Sequence, residues 1–161
     1  MKKILFGLMF LGAALILGSC NVHKVSTEAY YSTKCVYLND EGDGSITVRA
    51  YGRGAYRNDA VEQARKNAVH SCIFKGVPAN KDVPGSQMRP LMTEGSQAQH
   101  SEFFTDFFKD GGEYARFVTK GHGFPSSVKH NKEYRVGVPV TVHYSELRKY
   151  LESKGMIRGL S

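Results

Sequence analysis

Residues 45–51 alternate, with Ile46, Val48 and Ala50 on one side and Thr47, Arg49 and Tyr51 on the other. Alternation of period two marks a strand with one buried face. Just upstream, Lys34–Leu38 is β-branched and aromatic, and the turn-rich run Asn39–Gly44 separates the two stretches. The pattern therefore predicts a hairpin with a long loop. From Asn58 the period lengthens. Ala60, Val61, Ala64, Ala68, Val69, Cys72 and Ile73 recur three or four apart, which predicts a helix capped by Asn58 and running to about Lys75, with Gly76 and Pro78 as stop signals. Its row of alanines is thin enough to lie close on a sheet. Glu62, Arg65 and Lys66 fall on the outer side of this helix.

Val77–Ser96 holds three prolines and two glycines and predicts a long loop. A second helix is expected over Gln97–Lys109, with Phe103, Phe104, Phe107 and Phe108 as a core-facing aromatic stripe, ended by Asp110-Gly111-Gly112. Glu113–Thr119 alternates as a strand, Gly121–Pro125 is a loop, and Lys132–His143 is the longest strand. In that strand Tyr134, Val136, Val138, Val140 and Val142 share one face. Pro139 has no backbone donor, which argues for an edge position or a bulge. Tyr144–Lys154 is a closing helix with Ser145 as its cap and Leu147, Tyr150 and Leu151 inward. The order β-β-α-loop-α-β-β-α is not a strict alternation. It defines an α+β fold, a mostly antiparallel sheet with helices packed on one face.

The first twenty residues have a different character. Lys2 and Lys3 precede the apolar run Ile4–Leu17, and the small residues Gly18 and Ser19 lead directly to Cys20. A basic start, a short apolar stretch and a small-residue cleavage site form a secretory signal. The run is shorter than the ~20 residues needed to span a bilayer. An ordinary cleaved signal, with Cys20 structural, is the other alternative. Leu17-Gly18-Ser19-Cys20 resembles the lipobox of bacterial lipoproteins. That resemblance implies removal of residues 1–19, a covalent diacylglycerol and an N-acyl chain at Cys20, a tether over 20–32 and a single domain over 33–161. The acidic run that some surface-exported lipoproteins carry after the cysteine is absent after Cys20, so the same resemblance implies an outer-membrane anchor facing the periplasm.

The formal charge of +7 includes Lys2 and Lys3, so the processed chain remains basic. In an exported protein such charge points to anionic head groups or envelope polysaccharide rather than nucleic acid. Arg49, Arg53, Arg57 and Arg65, interleaved with Tyr51 and Tyr56, are the candidate anion-facing or partner-facing surface. With Cys20 acylated, Cys35 and Cys72 form an even pair in an oxidising compartment. A disulfide and two buried thiols both fit that pair.

The six histidines, His23, His70, His100, His122, His130 and His143, show no metal-ligand spacing. Gly52 and Gly54 lack the third glycine of a dinucleotide loop and the Gly-Lys-Ser/Thr of a phosphate loop. No nucleophile elbow occurs. The residues predict no enzyme, no metal and no cofactor beyond the acyl groups at Cys20.

Val48-x-Ala50-x-Gly52-x-Gly54 followed by Ala60-x-x-x-Ala64-x-x-x-Ala68 resembles the lipoprotein-20-like proteins and the N-terminal domain of flagellar assembly protein T. Together with its signal and length, the chain also looks like lipoproteins of the Bacteroides group. The resemblance implies a small envelope module without catalytic residues. The expectation is a lipid-anchored interaction or structural module with an envelope protein or polysaccharide partner. The alternative is a binder of a small ligand or polysaccharide in a cleft between segments 77–96 and 120–128. A hydrolase would require a histidine in contact with a nucleophile or an acid.

Overall fold

A computed structural model of the chain describes residues 35–93 and 95–159. The leader 1–19, Cys20 and the tether 20–32 lie outside the described residues. The elements are β1 (Cys35–Asp40), β2 (Ile46–Gly54), α1 (Arg57–His70), α2 (Ser96–Gln99), α3 (Ser101–Phe108), β3 (Val118–Lys120), β4 (Ser126–His130), β5 (Glu133–Val142) and α4 (Tyr144–Ser153). The fold is α+β. Five antiparallel strands run in the order β1-β2-β5-β3, with β4 also paired to β5.

The register of β2 on β5 sets Ile46 opposite Val142, Val48 opposite Val140, Ala50 opposite Val138 and Gly52 opposite Val136. Opposed residues share a face, so the two apolar rows read from the sequence meet as one surface. Helix α1 lies directly on it. A Cβ on Gly52 would come within 2.1 Å of the Ala60 carbonyl oxygen and 2.5 Å of the Ala64 nitrogen. Only a glycine facing a row of alanines permits this approach. Val48, Ala50, Ala60, Ala64 and Ala68 are all fully buried as a result.

Against the far part of α1 stands an aromatic cluster. Phe74 meets Phe104 edge-on at 4.8 Å, Phe107 meets Phe108 edge-on at 4.9 Å, and Tyr150 of α4 closes on Phe117 at 5.1 Å. Each buried aromatic contributes roughly 2–3 kcal/mol of transfer free energy, and edge-on pairs add to that. The helix-side core is therefore held by area and geometry together.

Several elements differ from the sequence expectation. Tyr56, not Asn58, precedes α1, and Asp59 accepts the Tyr56 backbone N–H at 3.3 Å. The helix then continues to Lys75 through a π-helical turn, Ser71–Lys75. The segment expected as one helix over 97–109 is two short ones, broken at His100. Glu113–Phe117 is a 3₁₀ turn and not a strand. Tyr114 and Phe117, three apart, both point into the core, and a three-residue turn is the geometry that puts them on one side.

Strand β4 was not anticipated. It joins β5 through Asn131 and Lys132, both at positive φ (48° and 66°), the backbone of a two-residue hairpin turn. Nor does Pro139 lie on an edge strand. β5 is paired on both sides, and the Pro139 carbonyl accepts from Gly121 N–H at 3.1 Å. In an antiparallel strand a residue's N–H and C=O point to the same edge. The missing donor of Pro139 therefore faces the place where the ladder breaks between β3 and β4.

That break positions the site. β3 and β4 run in the same direction along one edge of β5, Lys120 opposite Val140 and Ser126 opposite Gly137. They are two halves of one strand, interrupted by the excursion 122–125, which leaves the sheet beside Val138 and Pro139.

Candidate functional site

The cavity opens under this excursion. It encloses about 710 Å³ between the first half of α1 and the β3–β4 edge. Its floor is Val136, Val138 and Val140 of β5, with Val61 of α1, Val118 and Ala115 along the walls. Val138 and Val140 belong to the apolar face that α1 covers in its middle. Toward its N-terminal end a gap remains between α1 and the β3–β4 edge, above valines that are themselves buried. Gly123, Pro125 and Ser126 form the lip. The volume falls in the range of small-molecule sites, which are mainly apolar with a few placed polar groups.

The polar groups here are cationic. Arg57, Arg65 and Lys120 line the cavity, together with Asn58 and Thr119. Arg65 is held in place: it pairs with Glu62 at 3.0 Å and donates to the Val118 carbonyl at 2.9 Å. Glu62 in turn accepts from the buried Tyr114 hydroxyl. Burial, then the bond to Glu62 and its charge, push the Tyr114 hydroxyl's pKa upward, so it stays a donor. The side chains of Arg57 and Lys120 have no hydrogen-bond or ion-pair partner among the described residues. The site therefore combines an apolar floor, one braced guanidinium and two uncommitted cations.

The four arginines singled out by sequence do not form one cluster. Arg57 and Arg65 face the cavity, whereas Arg49 and Arg53 sit on the opposite face of the sheet, across from Pro139 and Arg135. Helix periodicity and strand periodicity send them to different sides. Glu62, Arg65 and Lys66 are not free outer side chains. Lys66 is 3% exposed and pairs with Asp110 at 2.6 Å. The cleft also lies elsewhere than expected. Residues 120–126 supply one wall, but α1 and β5 supply the others, and 77–96 contributes nothing. That segment folds back on the end of α1 through Leu91 N–H to the Cys72 carbonyl and Met92 N–H to the Ile73 carbonyl. It borders a separate recess of about 440 Å³ with His70, Phe74 and Gln97.

Cys35 and Cys72 are free, buried thiols. Burial pushes Cys35 up to about 12, and burial followed by the charge of Cys35 raises Cys72. Neither is suited to nucleophilic attack at neutral pH.

One contact lay beyond sequence reasoning. Ser45 Oγ and His143 Nδ1 are 3.0 Å apart, and Thr119 Oγ1 is 3.5 Å from His143 Nε2. The residues are 98 apart in sequence, and no motif signals the pairing. The hydroxyl is on a residue only 5% exposed, and the second ring nitrogen faces a threonine where a triad would place a carboxylate. The contact joins the hairpin to the start of α4, alongside Ser145 N–H to the Gly44 carbonyl at 3.0 Å. Lys120 and the valine floor were also missed. Pro139 and the glycines at 121 and 123 were the signal available for a broken ladder.

Among the described residues, no group of three or more His, Cys, Asp or Glu is placed to hold a metal, and no helix is long and apolar enough to cross a membrane. Compared with protein-family models, curated proteins and solved structures, the chain matches none.

Proposed function

We propose that this chain is a lipid-anchored module of the bacterial envelope, held through Cys20, that binds an amphiphile in the cavity between α1 and β5. The ligand class is an apolar chain or ring system carrying an anionic group. The observation that carries the reading is the 710 Å³ cavity, with a floor of valines and with Arg57, Arg65 and Lys120 at its polar side. Apolar area supplies the affinity, and the cations orient the head group. The role is binding and not catalysis. The Ser45–His143 contact belongs to a structural joint and has no carboxylate on the second ring nitrogen, and the cavity lining holds no histidine, cysteine or carboxylate.

Titration with a fluorescent polyene fatty acid tests the binding. Saturable binding is expected. The double variant Arg57→Gln/Lys120→Gln weakens it roughly tenfold, at ~0.7 kcal/mol for each exposed cation, and leaves the corresponding uncharged alcohol unaffected. Ala115→Phe fills the cavity and weakens both. Absence of saturation, or indifference to Ala115→Phe, refutes the site. The anchor is tested separately by mass spectrometry of the mature N-terminus, where an unmodified Cys20 thiol overturns it.

A further inference from the structure

The face of the sheet turned away from α1 carries a second feature that the cavity does not use. Arg49, Tyr51 and Arg53 of β2 stand opposite Pro139, Gly137 and Arg135 of β5, and Arg135 stands opposite Val128 of β4. Opposed residues share a face, so these side chains form one patch. The excursion 122–125 folds onto it, because an Arg49 guanidinium nitrogen donates to the Phe124 carbonyl at 3.3 Å. Phe124 is 91% exposed and Val128 63% exposed. The Arg53 side chain has no hydrogen-bond or ion-pair partner among the described residues. The one carboxylate paired within the patch is Glu133, 3.4 Å from Arg135.

We propose that this face docks the domain on an anionic bilayer, with Phe124 and Val128 entering the head-group layer and Arg49, Arg53 and Arg135 lying against lipid phosphates. Exposed apolar side chains flanked by cations are the combination that an anionic interface attracts. A ring standing almost free at a loop tip enters a yielding head-group layer without a matching recess. An acidic protein partner would instead favour anchors seated in packed pockets. The chain supplies proximity as well. Fifteen positions separate Cys20 from Cys35, a reach of at most ~50 Å, so an anchored domain meets the surface at high effective concentration. This last point rests on the anchor reading; the patch itself does not. Because the excursion also forms the lip of the cavity, docking brings the cavity mouth to the bilayer surface.

The chain contains no tryptophan, so a single introduced indole reports its own surroundings. The full chain is placed in vesicles of phosphatidylcholine with about one-third phosphatidylglycerol, or of phosphatidylcholine alone, each with or without brominated lipid. The comparison of anionic with neutral vesicles reads docking by the patch itself, whether or not Cys20 is acylated. Failure of the anchor reading therefore leaves the docking result readable. In Phe124→Trp, emission shifts to the blue and is quenched by brominated lipid in the anionic vesicles, while Ser153→Trp on α4 stays unquenched. Each cation adds roughly fivefold to the bound fraction's equilibrium constant, so Arg49→Gln/Arg53→Gln lowers docking on the order of 25-fold with an unchanged melting temperature. Equal quenching at positions 124 and 153, no quenching at 124, or quenching indifferent to phosphatidylglycerol overturns the proposal. So does protection of Trp at 124 by envelope protein extract in the absence of lipid.

Discussion

Lowering the pH from 7.5 to 5.0 loads a proton onto an unfolded histidine but not onto His70 in the folded chain. The imidazole is 4% exposed, with Nε2 2.9 Å from Gln97 Oε1 and its ring 4.8 Å from Phe74 and 5.8 Å from Phe108. Burial, with the Lys75 charge adding to it against the pull of Gln97, lowers its pKa to about 4. An unfolded histidine titrates near ~6.5. The folded value is the lower of the two, so the unfolded state binds more protons between about pH 6.5 and 4, and stability falls as pH falls through that window. Linkage over this span gives a loss of about 2 kcal/mol at pH 5.0 relative to pH 7.5, rising to about 3 kcal/mol below pH 4. Urea unfolding at pH 7.5, 6.5, 5.5 and 5.0, for the protein and for His70→Gln, isolates the effect, because the other titrating groups are common to both. The wild type should lose about 2 kcal/mol more than the variant over the series, irrespective of the variant's own starting stability. Parallel pH profiles would refute the claim that folding holds His70 neutral.

Three further outcomes follow from the packing. Gly52→Ala should cost about 3 kcal/mol or more by thermal melting, because the new methyl meets the backbone of α1 at Ala60 and Ala64; a cost below 1 kcal/mol would mean that α1 is not seated as described. Asp110→Asn should destabilise more than Lys66→Met, by about 1–2 kcal/mol in chemical denaturation, since the first leaves a buried ammonium without its carboxylate and the second removes the charge along with the need for one; the reverse order would contradict the burial of Lys66. Cys35 and Cys72 should react with a disulfide reagent at pH 8 only at the rate of unfolding, because burial raises both thiols; rapid labelling in native buffer would show that one of them is accessible.

The periodicities at 46–50, 60–73 and 134–142 were sufficient to place the central hairpin, the long helix on it and the valine strand, because each of these stretches repeats its apolar residues over several periods. The α+β class followed from their order. What periodicity handled badly were the short elements. Residues 113–117 alternate like a strand yet form a 3₁₀ turn, because the position of Tyr114 is settled by Glu62 on α1 and by Phe108. Asn131-Lys132 lacks the glycine that usually marks a two-residue turn, and β4 was missed with it.

The basic-apolar pattern of residues 1–20, the cationic balance and the two apolar faces belong to the sequence alone, since charge and hydrophobic spacing are local properties of the chain. Which cations act together was decided only in three dimensions. Arg57 and Lys120, 63 positions apart, line one cavity, while Arg53 and Arg57, four apart, fall on opposite sides of a sheet. The physical reason is the broken edge strand. Where β3 gives way to β4 beside Pro139, backbone pairing stops, a cavity remains beside the valine row, and residues remote in sequence become its neighbours. Pro139 and the glycines at 121 and 123 hint at a broken ladder, but which side chains gather around the gap depends on three separate segments meeting.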